Sequence, residues 1–330
     1  MLKDQEKSGI AVCLLLLVFC GYEGCLKHHT LLTLLQIRPS TITWSTPSHP
    51  ELQPSGSPAA LWWSKHVQDF TILAPTSISF TAFAVNVPQH LIHLHERVRH
   101  HANARIIQAD LPLSSGLAAT TRQVQTLAGI SSSELVSVVN CLGLSARHLY
   151  LPTSASPDPD ETARLQPIRG QTVLVQGELH EIRTLQSYNE ETGETEISYA
   201  IPRPGSGTTV LGGCNVKDEW STEVDEEMTE GILRRARALV PELMRVEEEN
   251  EKERGMEGHF DVIKAQVGLR PGRVGGARVE REVVGLMNDD GRVEGEMLVV
   301  HAYGMAGAGF QNSVGVASKV LELVEDGSSK

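Results

Sequence analysis

The stretch that most constrains this chain is Val299-Val300-His301-Ala302-Tyr303-Gly304-Met305-Ala306-Gly307-Ala308-Gly309-Phe310-Gln311. Its β-branched opening predicts a strand, because such side chains pack well on a pleated, buried surface. Gly304, Gly307 and Gly309 then remove Cβ atoms where the chain must turn and where a ligand needs to touch the backbone. From Asn312 to Val324 the apolar residues fall three and four apart, the spacing of a helix. A strand, a glycine-rich turn and a helix in that order can deliver a flat, phosphate-bearing cofactor to backbone N–H groups, although three glycines before a helix also suit a plain packing turn.

The 330 residues suffice to bury a sizeable core and to form two domains, interleaved or sequential. Acidic residues outnumber basic ones, 41 to 29, for a net charge of −12, which argues against nucleic acid as a partner. Much of that excess lies in Glu223 to Glu227 and Glu247 to Glu257, as expected of solvated helix faces or a surface insertion. The five cysteines, Cys13, Cys20, Cys25, Cys141 and Cys214, are odd in number and form no Cys-x-x-Cys pair, so they point to a reducing compartment. His90, His93, His95, His100 and His101 have no nearby acidic or cysteine set to complete a metal site, and a surface helix accounts for them.

Ile10 to Cys20 is apolar throughout but too short to span a bilayer as a relaxed helix, so no membrane partner is expected. As a secretory signal it carries Asp4 and Glu6 in its leader and lacks a small-x-small cleavage pattern, which leaves a buried segment as the other reading. Arg38 to Pro58 is dense in Pro, Ser and Thr and reads as a linker or poorly ordered loop. Beyond it, Phe83 to Val87 predicts a strand, Pro88 starts a partly buried helix carrying Leu91, Ile92, Leu94 and Val98, and Ala104 to Leu111 predicts another strand. Leu135 to Leu144 predicts a strand buried on both faces that ends in a glycine turn. After a loop over Pro152 to Asp160, antiparallel strands are expected over Gln171 to Gln176, Ser198 to Ile201 and Thr208 to Leu211. A largely helical segment over Thr222 to Glu253 and a strand over Phe260 to Leu269 follow. The order predicts an α/β fold, with parallel α/β layers at both ends of the readable region and a mostly antiparallel sheet between them.

Eight collinear blocks carry a family resemblance. They are Leu61-Trp62-Trp63-Ser64-Lys65, Val85-Asn86-Val87-Pro88-Gln89-His90-Leu91, Val139-Asn140-Cys141-Leu142-Gly143-Leu144-Ser145-Ala146-Arg147 and Pro167-Ile168-Arg169-Gly170-Gln171-Thr172-Val173-Leu174-Val175. They continue with Tyr199-Ala200-Ile201-Pro202-Arg203-Pro204-Gly205, Val210-Leu211-Gly212-Gly213, Val267-Gly268-Leu269-Arg270-Pro271-Gly272-Arg273 and the glycine turn. Over roughly residues 61 to 326 the chain resembles the FAD-dependent D-amino-acid oxidases, the fungal branch most closely. The resemblance implies an FAD-binding Rossmann-like layer, incomplete at the N-terminus, interleaved with a mostly antiparallel substrate-binding domain. In that division 1–60 is a divergent or poorly ordered segment, and 61–175 with 260–330 form the FAD-binding parts, 61–87 also contributing to the substrate domain. Residues 176–259 form the substrate-binding domain.

The implied activity is oxidation of a D-amino acid by FAD and O₂ to a 2-oxo acid, ammonia and hydrogen peroxide. Substrate and O₂ are the implied partners, with a homodimer as a further candidate. Such chemistry asks the protein to position carboxylate and amine and does not need a strong base. By resemblance Arg270 grips the substrate carboxylate, where its fork can give two charge-assisted hydrogen bonds; an arginine in this setting otherwise makes a surface ion pair. Tyr199 matches a tyrosine whose hydroxyl helps hold the same carboxylate, while a strand tyrosine is otherwise core. Gly307 matches the position whose carbonyl receives the amine, so Tyr199, Arg270 and Gly307 form the implied catalytic set. Gln311 matches a position near both flavin and substrate. Ala306, Gly307, Gly309 and Phe310 would line the flavin, with Arg270 beside it and with Leu111 and Leu142 touching FAD.

Two departures stand out. Asn215 follows Gly212-Gly213-Cys214 where the fungal pattern has a second tyrosine, which removes an aromatic wall and points either to a smaller or more polar substrate side chain or to weaker binding. Residues 1 to 60 hold no Gly-x-Gly-x-x-Gly turn with a following helix, so the competing expectation is a truncated, flavin-poor and inactive family remnant. The family points to the peroxisome, with cytoplasm as the alternative, because the chain stops at Ser328-Ser329-Lys330 without the leucine of a Ser-Lys-Leu signal.

Overall fold

The computed structural model describes residues 13–14, 35–53, 55–129, 137–150, 160–245, 258–287 and 292–328. Most of the apolar run Ile10 to Cys20, Leu135 and Val136, nearly all of the Pro152 to Asp160 loop, the end of the expected helical segment after Arg245, and Ser329-Lys330 lie outside the described residues.

The described elements begin with β1 (Cys13–Leu14), β2 (Leu35–Trp44), β3 (Gln68–Ala74), β4 (Ser77–Val85), α1 (Val87–Arg99) and β5 (Ile107–Gln108). Next come α2 (Gly116–Ala128), β6 (Val138–Asn140), α3 (Asp160–Arg164), β7 (Leu165–Gln176), β8 (Ile182–Tyr188), β9 (Thr195–Arg203), β10 (Thr208–Gly212) and β11 (Val216–Lys217). The remainder is α4 (Glu226–Leu239), β12 (Met244–Arg245), β13 (His259–Phe260), β14 (Val262–Arg273), β15 (Arg278–Met287), β16 (Val293–Tyr303) and α5 (Gly309–Ser328).

Nine strands form one sheet in the order β11-β7-β10-β9-β8-β2-β4-β3, with β14 paired to β7. Period-two alternation along β7 decides its two faces. Val173 and Val175 point to a core shared with Ala200, Leu211, Ile232 and Ala236, where α4 packs. Gly170 and Tyr199 therefore stand on the face away from α4, because they alternate with those core residues along β7 and β9. Helix α4 begins where Asp225 accepts a hydrogen bond from the Met228 N–H at 2.9 Å, and Glu226 and Glu227 in its first turn favour the positive end of the helix dipole.

A second, three-stranded sheet runs β15-β16-β6, with β6 parallel to β16 and His301 opposite Asn140. Helix α2 packs Val124 into a core with Val138, Val284, Leu286, Met297 and Val299. The β16 strand, the turn and helix α5 fall where the glycine-rich stretch predicts them.

Several expectations need correction. Part of the supposed linker Arg38 to Pro58 is strand β2, between β4 and β8, and Trp44 is 1% exposed in a cluster with Leu52, Leu61 and Ile78. Its Thr41-Ile42-Thr43-Trp44 segment has strand chemistry that the surrounding Pro and Ser residues obscure. Helix α1 has no buried residue, and Leu91, Ile92 and Leu94 are exposed rather than partly buried. The strand expected over Ala104 to Leu111 contracts to β5, and helix α4 ends at Leu239 ahead of a turn and β12. Strands β3, β8 and β15 went without prediction. Among the described residues parallel pairing is confined to β6/β16 and β2/β8, so parallel layers at both ends give way to one short parallel pair in the smaller sheet. The division at 175/176 falls within strand β7, and that at 259/260 falls within β13, which pairs with β12 in a separate two-stranded sheet.

Candidate active site

The site grows from a break in the sheet's ladder. Strand β10 pairs with β7 as far as Leu211 opposite Val173, and β11 resumes at Val216 opposite Arg169. Between them the chain crosses Gly170-Gln171-Thr172, and the Gln171 N–H donates to Cys214 Sγ at 3.0 Å.

Strand β14 lies on the other edge of β7, with Arg270 opposite Ile168. The Arg270 side chain folds over Gly170, where a Cβ would overlap all three of its guanidinium carbon and terminal nitrogen atoms. Glycine inside a strand marks such a close approach. Arg270 Nη1 donates to the Cys214 carbonyl at 3.1 Å and to Asn215 Oδ1 at 3.0 Å. Both partners are neutral, so these bonds fix the guanidinium and leave its charge to attract an anion. Three residues along the same strand Arg273 behaves differently, forming a two-point ion pair with Glu161.

Tyr199 stands opposite Gly212 on β9, and its ring fills the space where Cβ atoms on Gly212 and Gly213 would be. Burial pushes its phenol pKa up, while the neighbouring Arg270 charge pulls the other way. A phenol kept neutral beside a guanidinium can donate to a carboxylate that the guanidinium holds.

Gly307, in the short turn Ala306–Ala308 between β16 and α5, completes the arrangement. A Cβ on it would come within 3.5 Å of Arg270 Cδ. The structure therefore brings Arg270, Tyr199, Asn215 and Gly307 together. Leu111 and Leu142 pack on one cluster with Leu113, Leu149 and Tyr150, and Gly143 meets Pro271 at 3.9 Å if given a Cβ. Phe310 and Gln311 lie exposed on the first turn of α5, just after Gly309, and Ala306 is half-buried. Gly170 and the Cys214 carbonyl escaped the sequence reading as site components. Glycine within the strand-patterned run Pro167 to Val175 was the available signal for the first, and a backbone carbonyl leaves none.

The carboxyl ends of β6 and β16 lie side by side, and the turns after them carry Leu142-Gly143 and Gly304 to Gly309. Ligands of open α/β sheets bind at such strand ends. The exposed, side-chain-free edge at Gly307 beside Arg270 would be filled by a larger residue, and it suits the rim of a flat ring. These residues fit the flavin end of FAD.

A strand-end turn of this kind, set against a fixed cation on an antiparallel sheet, has the geometry that a flavin-dependent oxidoreductase requires. The chain belongs to the FAD-dependent oxidoreductase family, whose family model, DAO, matches residues 92–323. It is 30% identical over 264 residues to a D-amino-acid oxidase of Schizosaccharomyces pombe, covering 77% of this chain and 64% of that one. It is 33% identical over 204 residues to a D-amino-acid oxidase of Streptomyces coelicolor, covering 62% of this chain and 51% of the other. The chain thus spans less than two thirds of the length of these curated relatives. Glycine oxidase from Geobacillus kaustophilus shares the fold, with a TM-score of 0.56 at 16% identity over 89% of this chain and 72% of that one.

Proposed function

We propose that this chain oxidises D-amino acids with FAD and O₂. Oxidation gives an imino acid and hydrogen peroxide, and water then releases a 2-oxo acid and ammonia. The observation that carries this reading is Arg270, held over Gly170 by neutral partners and facing both Tyr199 and Gly307. The names of the matched relatives support the substrate class.

Arg270 binds the substrate carboxylate through its fork, and Tyr199 adds a hydroxyl donor to the same group. The Gly307 carbonyl accepts from the substrate amine, which orients the Cα–H bond. Bound FAD supplies the acceptor for the hydride leaving Cα. No strong base is required, so orientation of the bound substrate accounts for the protein's contribution to rate. Asn215 stands where the fungal pattern has a bulkier ring, so we take the position to favour a smaller or more polar substrate side chain, or to bind substrate more weakly.

The test is peroxide release from the full chain incubated with FAD and D-alanine, compared with Arg270→Ala. Release that falls sharply in the variant supports the oxidase. No peroxide over a panel of D-amino acids with added FAD overturns it in favour of the flavin-poor remnant. The peroxisome remains the proposed compartment on family grounds, and imaging the tagged chain in cells checks that separately.

A further inference from the structure

We propose that Glu161 is a positioning residue, which sets the spacing between Arg270 and the Gly304 to Gly309 turn by tying their two strands to one buried carboxylate; this rests on the reading of Arg270 as a carboxylate anchor. The Glu161 side chain is 2% exposed on the short helix α3. Its Oε1 accepts from Arg273 Nε at 2.8 Å and from the Tyr303 hydroxyl at 2.9 Å, and its Oε2 accepts from Arg273 Nη2 at 2.8 Å. A buried carboxylate needs this many donors to offset its lost hydration.

The positions of those donors give the knot its meaning. Arg273 ends the strand that carries Arg270, and Tyr303 ends the strand that runs into Gly304. Gly304 has φ +84° and rests on the Arg273 stem, where a Cβ would come within 2.8 Å of Arg273 Cβ. Arg278 Nη1 donates to the Tyr303 hydroxyl at 3.1 Å and to the Tyr150 hydroxyl at 2.8 Å, which fixes the tyrosine from its other side. One carboxylate thereby ties the end of the strand that carries Arg270 to the strand end that leads into the Gly307 turn. Glu161 touches neither of those two residues through these bonds, so it acts through Arg273 and Tyr303.

The experiment is calorimetric binding of propionate, a carboxylate with no amine to oxidise, to the full chain. Glu161→Gln is expected to weaken binding about tenfold through misplacement of Arg270. Tyr303→Phe, which removes a single hydroxyl, shifts affinity in the same direction and serves where Glu161→Gln does not fold. Leu52→Ala, in the Trp44 cluster, lowers the thermal midpoint while leaving affinity within about twofold, as expected of a distant site. Affinity unmoved in both Glu161→Gln and Tyr303→Phe overturns the positioning role alone. Wild-type chain that fails to bind propionate, or binding that survives Arg270→Ala, overturns the anchor reading and this one with it.

Discussion

Arg270 and Gly307 face each other, a Cβ on the glycine standing 3.5 Å from Arg270 Cδ and 3.8 Å from its Nε. A cation from the nine-stranded sheet thus meets a bare backbone edge supplied by the smaller one. Truncating Arg270 to alanine removes two hydrogen bonds to a charged group, each worth about 1.5–3 kcal/mol, so kcat/KM for a D-amino acid should fall roughly a hundredfold or more. Arg270→Lys keeps the charge without the fork and should land in between. Steady-state peroxide assays separate the three proteins.

Gly170 and Gly212 make room for the two side chains that matter most. Adding a methyl at Gly170 displaces the Arg270 guanidinium, and adding one at Gly212 displaces the Tyr199 ring. Each alanine variant should raise KM about tenfold or more, since misplacement of a binding group by even 1 Å is costly. Circular dichroism should show the sheet intact; a wild-type KM in both variants would mean that neither side chain binds substrate.

Asn215 offers Arg270 a neutral oxygen at 3.0 Å. Asn215→Asp replaces it with a carboxylate that competes for the same guanidinium, so KM should rise while the thermal midpoint holds or climbs. A KM that stays put in this variant counts against Arg270 as the carboxylate anchor.

Acid should loosen the molecule through two carboxylates. Burial pushes the Glu161 pKa up, but the bonds from Arg273 and Tyr303 and the Arg273 charge outweigh it and leave the value lowered. The bond to His301 is the main cause lowering Glu282, with Arg278 adding to it against burial. A carboxyl whose folded pKa lies below its unfolded value of about 4.3 stabilises fully above that value, and the gain is lost as pH falls through the folded pKa. Thermal midpoints should therefore hold above about pH 5 and drop below pH 4, less steeply in Glu161→Gln. A midpoint flat down to pH 3 would contradict this.

Much of the site could be read from the chain before its structure. Arg270, Tyr199, Asn215 and Gly307 were named from their blocks, and all four converge. The strand, turn and helix around Gly304 were legible because β-branched residues, glycines and three-four spacing agree there. Other elements were hidden by mixed signals. Strand β2 sits in a Pro- and Ser-rich stretch, and only its pairing with β4 and β8 makes it a strand. Strand β15 carries Arg278, Glu280, Arg281 and Glu282, charges that look like surface, and only the fold shows Arg278 bonded to Tyr303 and Glu282 to His301 on β16. Helix α1 misled in the other direction, because its apolar spacing predicted partial burial that Val98 shows and Leu91, Ile92 and Leu94 do not.

Strand β2 lies between β8 and β4, joining a hairpin of residues 68–85 to strands that appear only after residue 182. A shortened chain starting at Leu61 would lack that seam, leaving the hairpin adrift and Trp44's hydrophobic neighbours open to water. Trimming the residues that look least like an enzyme would thus split the sheet whose other strands carry Tyr199 and Arg270.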